Sequence, residues 1–235
     1  MTLTIIPIAG IPEVRPDDEV AVFVIEAAEA QATPLVDGDC LVVTQKVISK
    51  AEGRLVALDP EDRDARQALI ESESVRVLRR RGDLIISETR HGFVCANAGI
   101  DLSNVEAGSA ALLPLDPDRS ARHVRDALRA RIGVDVAVVI SDTFGRAWRL
   151  GLTDVAIGVA GLAAVVDLRG ETDSRGRELQ VTEVAVADEV ASAAELVMGK
   201  ADRVAAAIVR GLNPQWRRNG SARELVRAPS DDLFR

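Results

Sequence analysis

Residues 136–140 read Val-Ala-Val-Val-Ile, an unbroken apolar run that is β-branched at four of its five positions. Such a run suits a strand covered on both faces, because a strand with one wet face would alternate apolar and polar residues. A doubly covered strand needs a sheet with layers on either side, and this constrains the rest of the chain. The run gives way at once to Ser141-Asp142-Thr143, which reads as the C-terminal end of the strand. Ligands gather at such ends, where the strand fixes the backbone and the following loop is free to reach. A carboxylate beside a hydroxyl offers hard oxygen donors of the kind a cation takes. Gly145-Arg146 and Trp148-Arg149 add a flexible joint and two guanidinium groups, whose forked donors match phosphate. Cation, phosphate and a rigid strand together point to nucleotide chemistry, although a strand followed by an ordinary polar turn would leave the same residues.

Composition narrows the classes. The 235 residues suffice for one large domain or two small ones, and 47% apolar with 28% charged content is that of a soluble globular chain. Aromatics make up 3% and tyrosine is absent, so the core falls to Val, Leu, Ile and Ala. A net charge of −8 argues against a nucleic-acid partner. No basic segment leads into an apolar stretch at the N-terminus, and no window approaches about 18 consecutive apolar residues, so a cytoplasmic protein without a membrane partner is expected. Cys40 and Cys95, the two cysteines, have neither the number of a disulfide framework nor the spacing of a metal site.

Only Lys46, Lys50 and Lys200 are lysines among the 29 basic residues. Lysine presents a compact ammonium that arginine cannot reproduce, so each survivor is a candidate phosphate contact. Residues 41–48 read as a strand, and if it persists Lys46 and Lys50 share a face, where two ammonium groups repel unless an anion lies between them. A solvated edge strand would also tolerate them.

Along the chain, strands are expected at 3–9, 83–88, 110–115 and 205–209. Helices are expected at 19–30 behind an Asp17 or Asp18 cap, at 61–81, at 120–132 behind Ser120, and at 186–198. Residues 152–170 read as strand and turn, and 173–176 as a hairpin turn returning through 178–184. His91 and His123 complete no metal or nucleophile pattern and read as structural or surface residues. Asp101 and Asn104 lie in a polar Gly-bearing segment that is either a simple Asx turn or a source of a second carboxylate and an amide for the site begun at Asp142. Neither Gly-x-x-x-x-Gly-Lys-Ser/Thr nor Gly-x-Gly-x-x-Gly occurs, so any nucleotide would be held by an uncommon arrangement.

Five separated segments carry a resemblance. Gly10-Ile-Pro-Glu13, Thr44-Gln-Lys-Val-Ile-Ser-Lys50, Ala98-Gly-Ile-Asp-Leu-Ser-Asn104, Ser141-Asp-Thr-Phe-Gly-Arg-Ala-Trp-Arg149 and Val181-Thr-Glu-Val-Ala-Val-Ala-Asp-Glu189 closely resemble, in the same order, those of the coenzyme F420-0:L-glutamate ligase family. The resemblance implies an α+β fold of mixed sheets with flanking helices, forming an intertwined homodimer. It implies a GTP-dependent ligase that adds L-glutamate to coenzyme F420-0 and releases GDP and phosphate, with Mg or Mn as divalent metal and K as a stimulating monovalent cation. By the same resemblance Asp101, Asp142 and Thr143 are metal ligands. Ile11, Pro12, Glu13, Val14, Gln45, Lys50 and Asn104 are nucleotide contacts. Asp142, Lys50 and Arg146 are the residues expected to carry catalysis, with Arg146 and Trp148 in a shared Gly-Arg-x-Trp signature.

Two departures stand out. Lys200 follows Gly199 where some relatives carry an acidic or amide residue thought to help a second metal. A protonated lysine cannot ligate a cation, so either that site is altered or Lys200 contacts phosphate. The ligase domain is expected over 1–212, and the tail 213–235 resembles the junction in two-domain relatives that run on into a flavin-binding domain. For the reaction, the expected route is attack of the precursor's carboxylate on the γ-phosphate to give an acyl phosphate, from which glutamate's amine displaces phosphate. A metal-dependent nucleotide phosphohydrolase or phosphotransferase, or a non-catalytic nucleotide-binding dimerisation module, are the alternatives from other classes.

Overall fold

The computed structural model describes residues 2–103, 108–200 and 202–233. Its elements in chain order are β1 (Thr4–Ile8), α1 (Val20–Ala30), β2 (Cys40–Thr44), α2 (Gln45–Ala51), β3 (Leu55–Ala57), α3 (Arg63–Ser72), β4 (Ser74–Arg81), β5 (Leu84–Thr89), β6 (Val94–Ala96), β7 (Ser109–Ala111), α4 (Pro117–Ile132), β8 (Ala137–Gly145), β9 (Leu152–Ala160), β10 (Val166–Asp167), β11 (Glu183–Val184), α5 (Val186–Met198) and β12 (Ala206–Arg210). This is a mixed α+β chain with several sheets. The central sheet has the order β1-β12-β2-β8-β9, in which only β2 and β8 run parallel.

The apolar run of β8 is covered on both faces, as its composition requires. Val138 and Ile140 join Leu41 and Val43 in a cluster with α1, α2 and α4, contributed by Val24, Ile48 and Leu128. Ala137 and Val139 join Cys40 and Val42 in a second cluster with α5, contributed by Val190, Ala194 and Met198. Successive strand residues thus feed opposite layers. α4 lies close on β9 because position 158 is glycine: a Cβ there would stand 2.3 Å from the Pro117 carbonyl oxygen.

Beside this body, β4, β5 and β6 form a small antiparallel sheet backed by α3, with Ile70, Ile85 and Ala98 as its core. β3 pairs with β7 and β10 with β11. Beyond Leu212 the chain folds back along the domain. The Asp118 carboxylate on the first turn of α4 accepts hydrogen bonds from the Ser221 hydroxyl at 2.5 Å and the Ala222 amide at 2.9 Å, and Ala222 is buried. Cys40 and Cys95 are free and buried.

Several sequence expectations are corrected. The strand expected over 41–48 stops at Thr44 and turns into α2. Inside α2 the Gln45 amide donates to Ser49 Oγ at 2.5 Å and to the Leu112 carbonyl at 3.0 Å, which ties down the first turn despite the β-branched Val47 and Ile48. Lys46 and Lys50 therefore share a face as helix neighbours four apart, not as strand neighbours. The helix expected over 61–81 ends at Ser72, because residues 74–81 find a hairpin partner in β5. β8 does not end at Ile140: after a bulge it continues through Gly145 in register with β9. α1 has no side-chain cap, since Asp18 instead accepts from the Arg15 amide, and Asp116 rather than Ser120 caps α4.

Candidate active site

The parallel pairing of β2 with β8 sets Thr44 beside Ser141, so the residues that follow in each strand emerge side by side at one end of the sheet. From β2 come Gln45, Lys46 and Lys50 on α2. From β8 comes Asp142. Asp101 arrives from a different direction: its backbone makes an isolated antiparallel bridge with Ala111, at 3.0 and 2.8 Å, which anchors it next to β7 and α2.

There the Lys46 ammonium stands 2.7 Å from Asp101 Oδ2, while the Ser103 amide donates to Asp101 Oδ1 at 2.6 Å. Burial alone would push Asp101 up, but these donors win and hold it below the ordinary carboxylate range. Asp142 fares differently. Burial raises it first, the Thr143 amide at 2.8 Å opposes this, and the negative charges of Asp101 and Asp154 raise it further, to about 7. Asp101 and Asp142, which are 41 positions apart, therefore lie within each other's field, and the Lys46 ammonium paired with Asp101 is felt at Asp142 as well.

The pleat sends Thr143 the other way. Its hydroxyl donates to Asp154 Oδ1 at 2.7 Å and accepts from Lys200, on the α5 side of β8. The Ser141 hydroxyl joins the same carboxylate at 3.0 Å. Asp154 is 2% exposed and its acceptors are well used. Thr143 can therefore share a ligand with Asp142 only through its backbone.

The other expected residues fall as follows. The loop carrying Ile11, Pro12, Glu13 and Val14 meets α2 through an ion pair of Lys50 with Glu13, while Val14 turns into the core. Gln45 is buried, and its Oε1 has no hydrogen-bond partner among the described residues. Arg146 sits on the exposed turn between β8 and β9, donating to the Leu150 carbonyl at 2.7 Å. Lys200 bonds Thr143, Asp154 and Glu195. Asn104 lies outside the described residues. His91 is braced by the Pro114 carbonyl at 2.9 Å and stacked on Phe93, with its pKa lowered by burial.

Sequence reasoning read Lys46 as a candidate phosphate contact, whereas the structure pairs it with Asp101; it named Ser141 without a role and missed Asp154 and Glu195. The available signal was Asp154 itself, a carboxylate immediately before the run Val155–Ala160, which holds no charged or polar side chain.

A hard divalent cation fits the Asp101–Asp142 side. Mg-like ions are often held by one or two carboxylates, with the rest of the shell drawn from water and substrate phosphates. Among the described residues no group of three acidic, cysteine or histidine side chains stands ready to hold a metal alone, so such a shell would need those further oxygens.

The model of the F420-0:gamma-glutamyl ligase family matches residues 9–211. The chain is 44% identical over 253 residues to the coenzyme F420:L-glutamate ligase of Methanothermobacter thermautotrophicus, covering all of both chains. It is also 44% identical to the same-named enzyme of Methanopyrus kandleri, over all of this chain and 98% of the relative. With that of Methanocaldococcus jannaschii it shares 40% identity over 86% of each chain.

Proposed function

The chain belongs to the F420-0:gamma-glutamyl ligase family, and from that premise we propose that its amide synthesis is driven by GTP, depends on a divalent cation and passes through an acyl phosphate. The ligase activity follows from the family and from relatives that match end to end. The finer chemistry is a reading of the site, and the observation that carries it is the convergence of Asp101 and Asp142 around Lys46.

A carboxylate must be activated before an amine can displace anything from it. Joining a precursor carboxylate to a nucleotide's terminal phosphate asks a protein to hold several negative groups together, which is a task of positioning and charge compensation. Asp101 and Asp142 would hold the divalent ion, Mg or Mn, and when bound it would neutralise the phosphate tail and polarise the transferred group. Lys46, now paired with Asp101, would offer its ammonium to phosphate once Asp101 served a cation. Lys50, now beside Glu13, faces the 11–14 loop where nucleotide contacts are expected. The unpaired Oε1 of Gln45 is a buried acceptor that a nucleotide N–H would satisfy. Arg146 lies farther out, on the turn, and is proposed to meet substrate rather than nucleotide.

Self-association is part of the proposal. Trp148, Leu150 and Leu152 on the β8–β9 turn are 85%, 96% and 70% exposed, and clustered apolar side chains of this kind mark contact surfaces.

One assay tests the reading: protein, GTP, Mn²⁺, L-glutamate and coenzyme F420-0, followed by mass spectrometry of the cofactor and separation of guanine nucleotides. The expected result is one added glutamyl mass per GDP formed, with neither product when glutamate or Mn²⁺ is left out. GDP released at full rate without glutamate would replace this reading with phosphohydrolysis. Glutamyl transfer without GTP would end the nucleotide claim.

A further inference from the structure

Lys200 has two neighbours that carry charge and one that does not. Its ammonium lies 2.9 Å from Asp154 Oδ1 and 2.7 Å from Glu195 Oε1, and it donates to Thr143 Oγ1. An ammonium has three N–H donors, and here each has an oxygen to meet. The oxygens come from three elements: Thr143 from β8, Asp154 from β9 and Glu195 from α5. The arrangement resembles the oxygen shell of a small cation, with the lysine nitrogen standing at its centre. With all three hydrogens engaged, Lys200 has no donor left for a phosphate.

The place of this shell gives it a consequence. Thr143 adjoins Asp142 in the chain, and Asp154 adds to the negative field felt by Asp142. An uncompensated Asp154, buried to 2% exposure, would leave a charge beside the strand that carries Asp142. It would also loosen the Thr143 hydroxyl that holds β8 to β9.

We propose that Lys200 is a tethered internal cation, occupying on the α5 side of β8 the place a free metal or monovalent ion would otherwise fill, and so fixing Thr143 and Asp154 behind the catalytic carboxylates. It is a positioning residue. The inference rests on the reading of the Asp101–Asp142 side as the reaction centre, but its test does not require nucleotide.

Lys200→Met removes the charge and all three donors while keeping an unbranched stem of similar girth. The thermal midpoints of wild type and variant are compared at neutral pH without nucleotide or divalent metal, in tetramethylammonium chloride and then with potassium or ammonium added at equal ionic strength. The variant is expected to melt lower in tetramethylammonium, and a small cation should recover at least half of that loss, as binding to the folded state alone demands. Wild type should show a smaller response to the same ions. Ligation is followed in parallel: the variant should lose about tenfold in turnover, recovered with the same ion preference, while the KM for GTP moves little. If Lys200→Met does not fold, Lys200→Gln, which keeps polar contacts without charge, carries the comparison.

A variant deaf to small cations, or one whose loss lies wholly in the KM for GTP, would overturn the proposal, the second outcome making Lys200 a phosphate contact. Failure of wild type to use GTP at all would instead remove the nucleotide reading and leave the melting comparison standing.

Discussion

Asp142 and Asp154 sit almost opposite each other on paired strands, with Asp142 registered on Val155 and Thr143 on Asp154. Their surroundings differ in kind. Asp154 accepts from Ser141, Thr143 and Lys200, at 3.0, 2.7 and 2.9 Å. Asp142 accepts from the Thr143 amide, and burial first, then the charges of Asp101 and Asp154, push its pKa up to about 7 against that bond and the Lys46 ammonium. A buried carboxylate with a complete set of partners rigidifies the fold. One left short of positive charge costs stability and is poised for a cation that arrives later. One hairpin thus carries a fully partnered aspartate on its α5 side and, on its α2 side, the one proposed to bind the cation, separated by the pleat.

The sharpest way to break this contrast is by activity. Asp142→Ala is expected to lower GTP-dependent ligation by about a hundredfold or more with the melting temperature preserved or raised. A variant that lost activity only because it unfolded would erase the distinction from Asp154.

Next in size is the structural partner. Asp154→Ala removes the acceptor of the Ser141 and Thr143 hydroxyls and leaves Lys200 with Glu195 and the Thr143 hydroxyl alone. Because Lys200 is 55% exposed, water can recover part of its loss, and a destabilisation of about 2–4 kcal/mol is expected from denaturant unfolding. A change near zero would show that the α5-side network contributes little.

The smallest effect sharpens the sign. The folded Asp142 carboxyl titrates at about 7, the unfolded one near about 4. Between those values the folded state holds a proton that the unfolded state has released, so stability of the metal-free protein falls as pH rises through that window. Asp142→Asn should remove this slope, gaining about 1–3 kcal/mol over wild type at pH 8 and nothing at pH 4. Parallel pH–stability curves for the two proteins would contradict the unpaired state of Asp142.

The architecture was legible where composition and packing agree. The apolar run at 136–140 demanded a doubly covered strand, and the helix over Val186–Met198 falls on its expected bounds, with an Ala- and Val-rich face turned to the sheet. Legibility failed where a distant partner decided the outcome. Residues 74–81 are rich in arginine and read as helix, but β5 supplies a ladder and Glu88 pairs with Arg76 across it at 3.1 Å. Gln45 begins a helix because a carbonyl 67 residues away receives its amide. The site divides in the same way. The segments and their carboxylates were visible, as was the unusual scarcity of lysine. The opposed facing of Asp142 and Thr143 was hidden, because it depends on β8 continuing past Ile140 along β9. Asp154 and Glu195 were hidden because they act through the fold and belong to none of the segments that carry the family resemblance.

The most direct test of the account is Mn²⁺ binding measured by calorimetry in the presence of a non-hydrolysable GTP analogue, with wild type, Asp142→Asn and Asp154→Asn compared well below their melting temperatures. The account predicts affinity weakened by about tenfold or more in Asp142→Asn and much less disturbed in Asp154→Asn. Unchanged Mn²⁺ affinity in Asp142→Asn, with the loss appearing at Asp154 instead, would put the cation on the other face of β8 and contradict it.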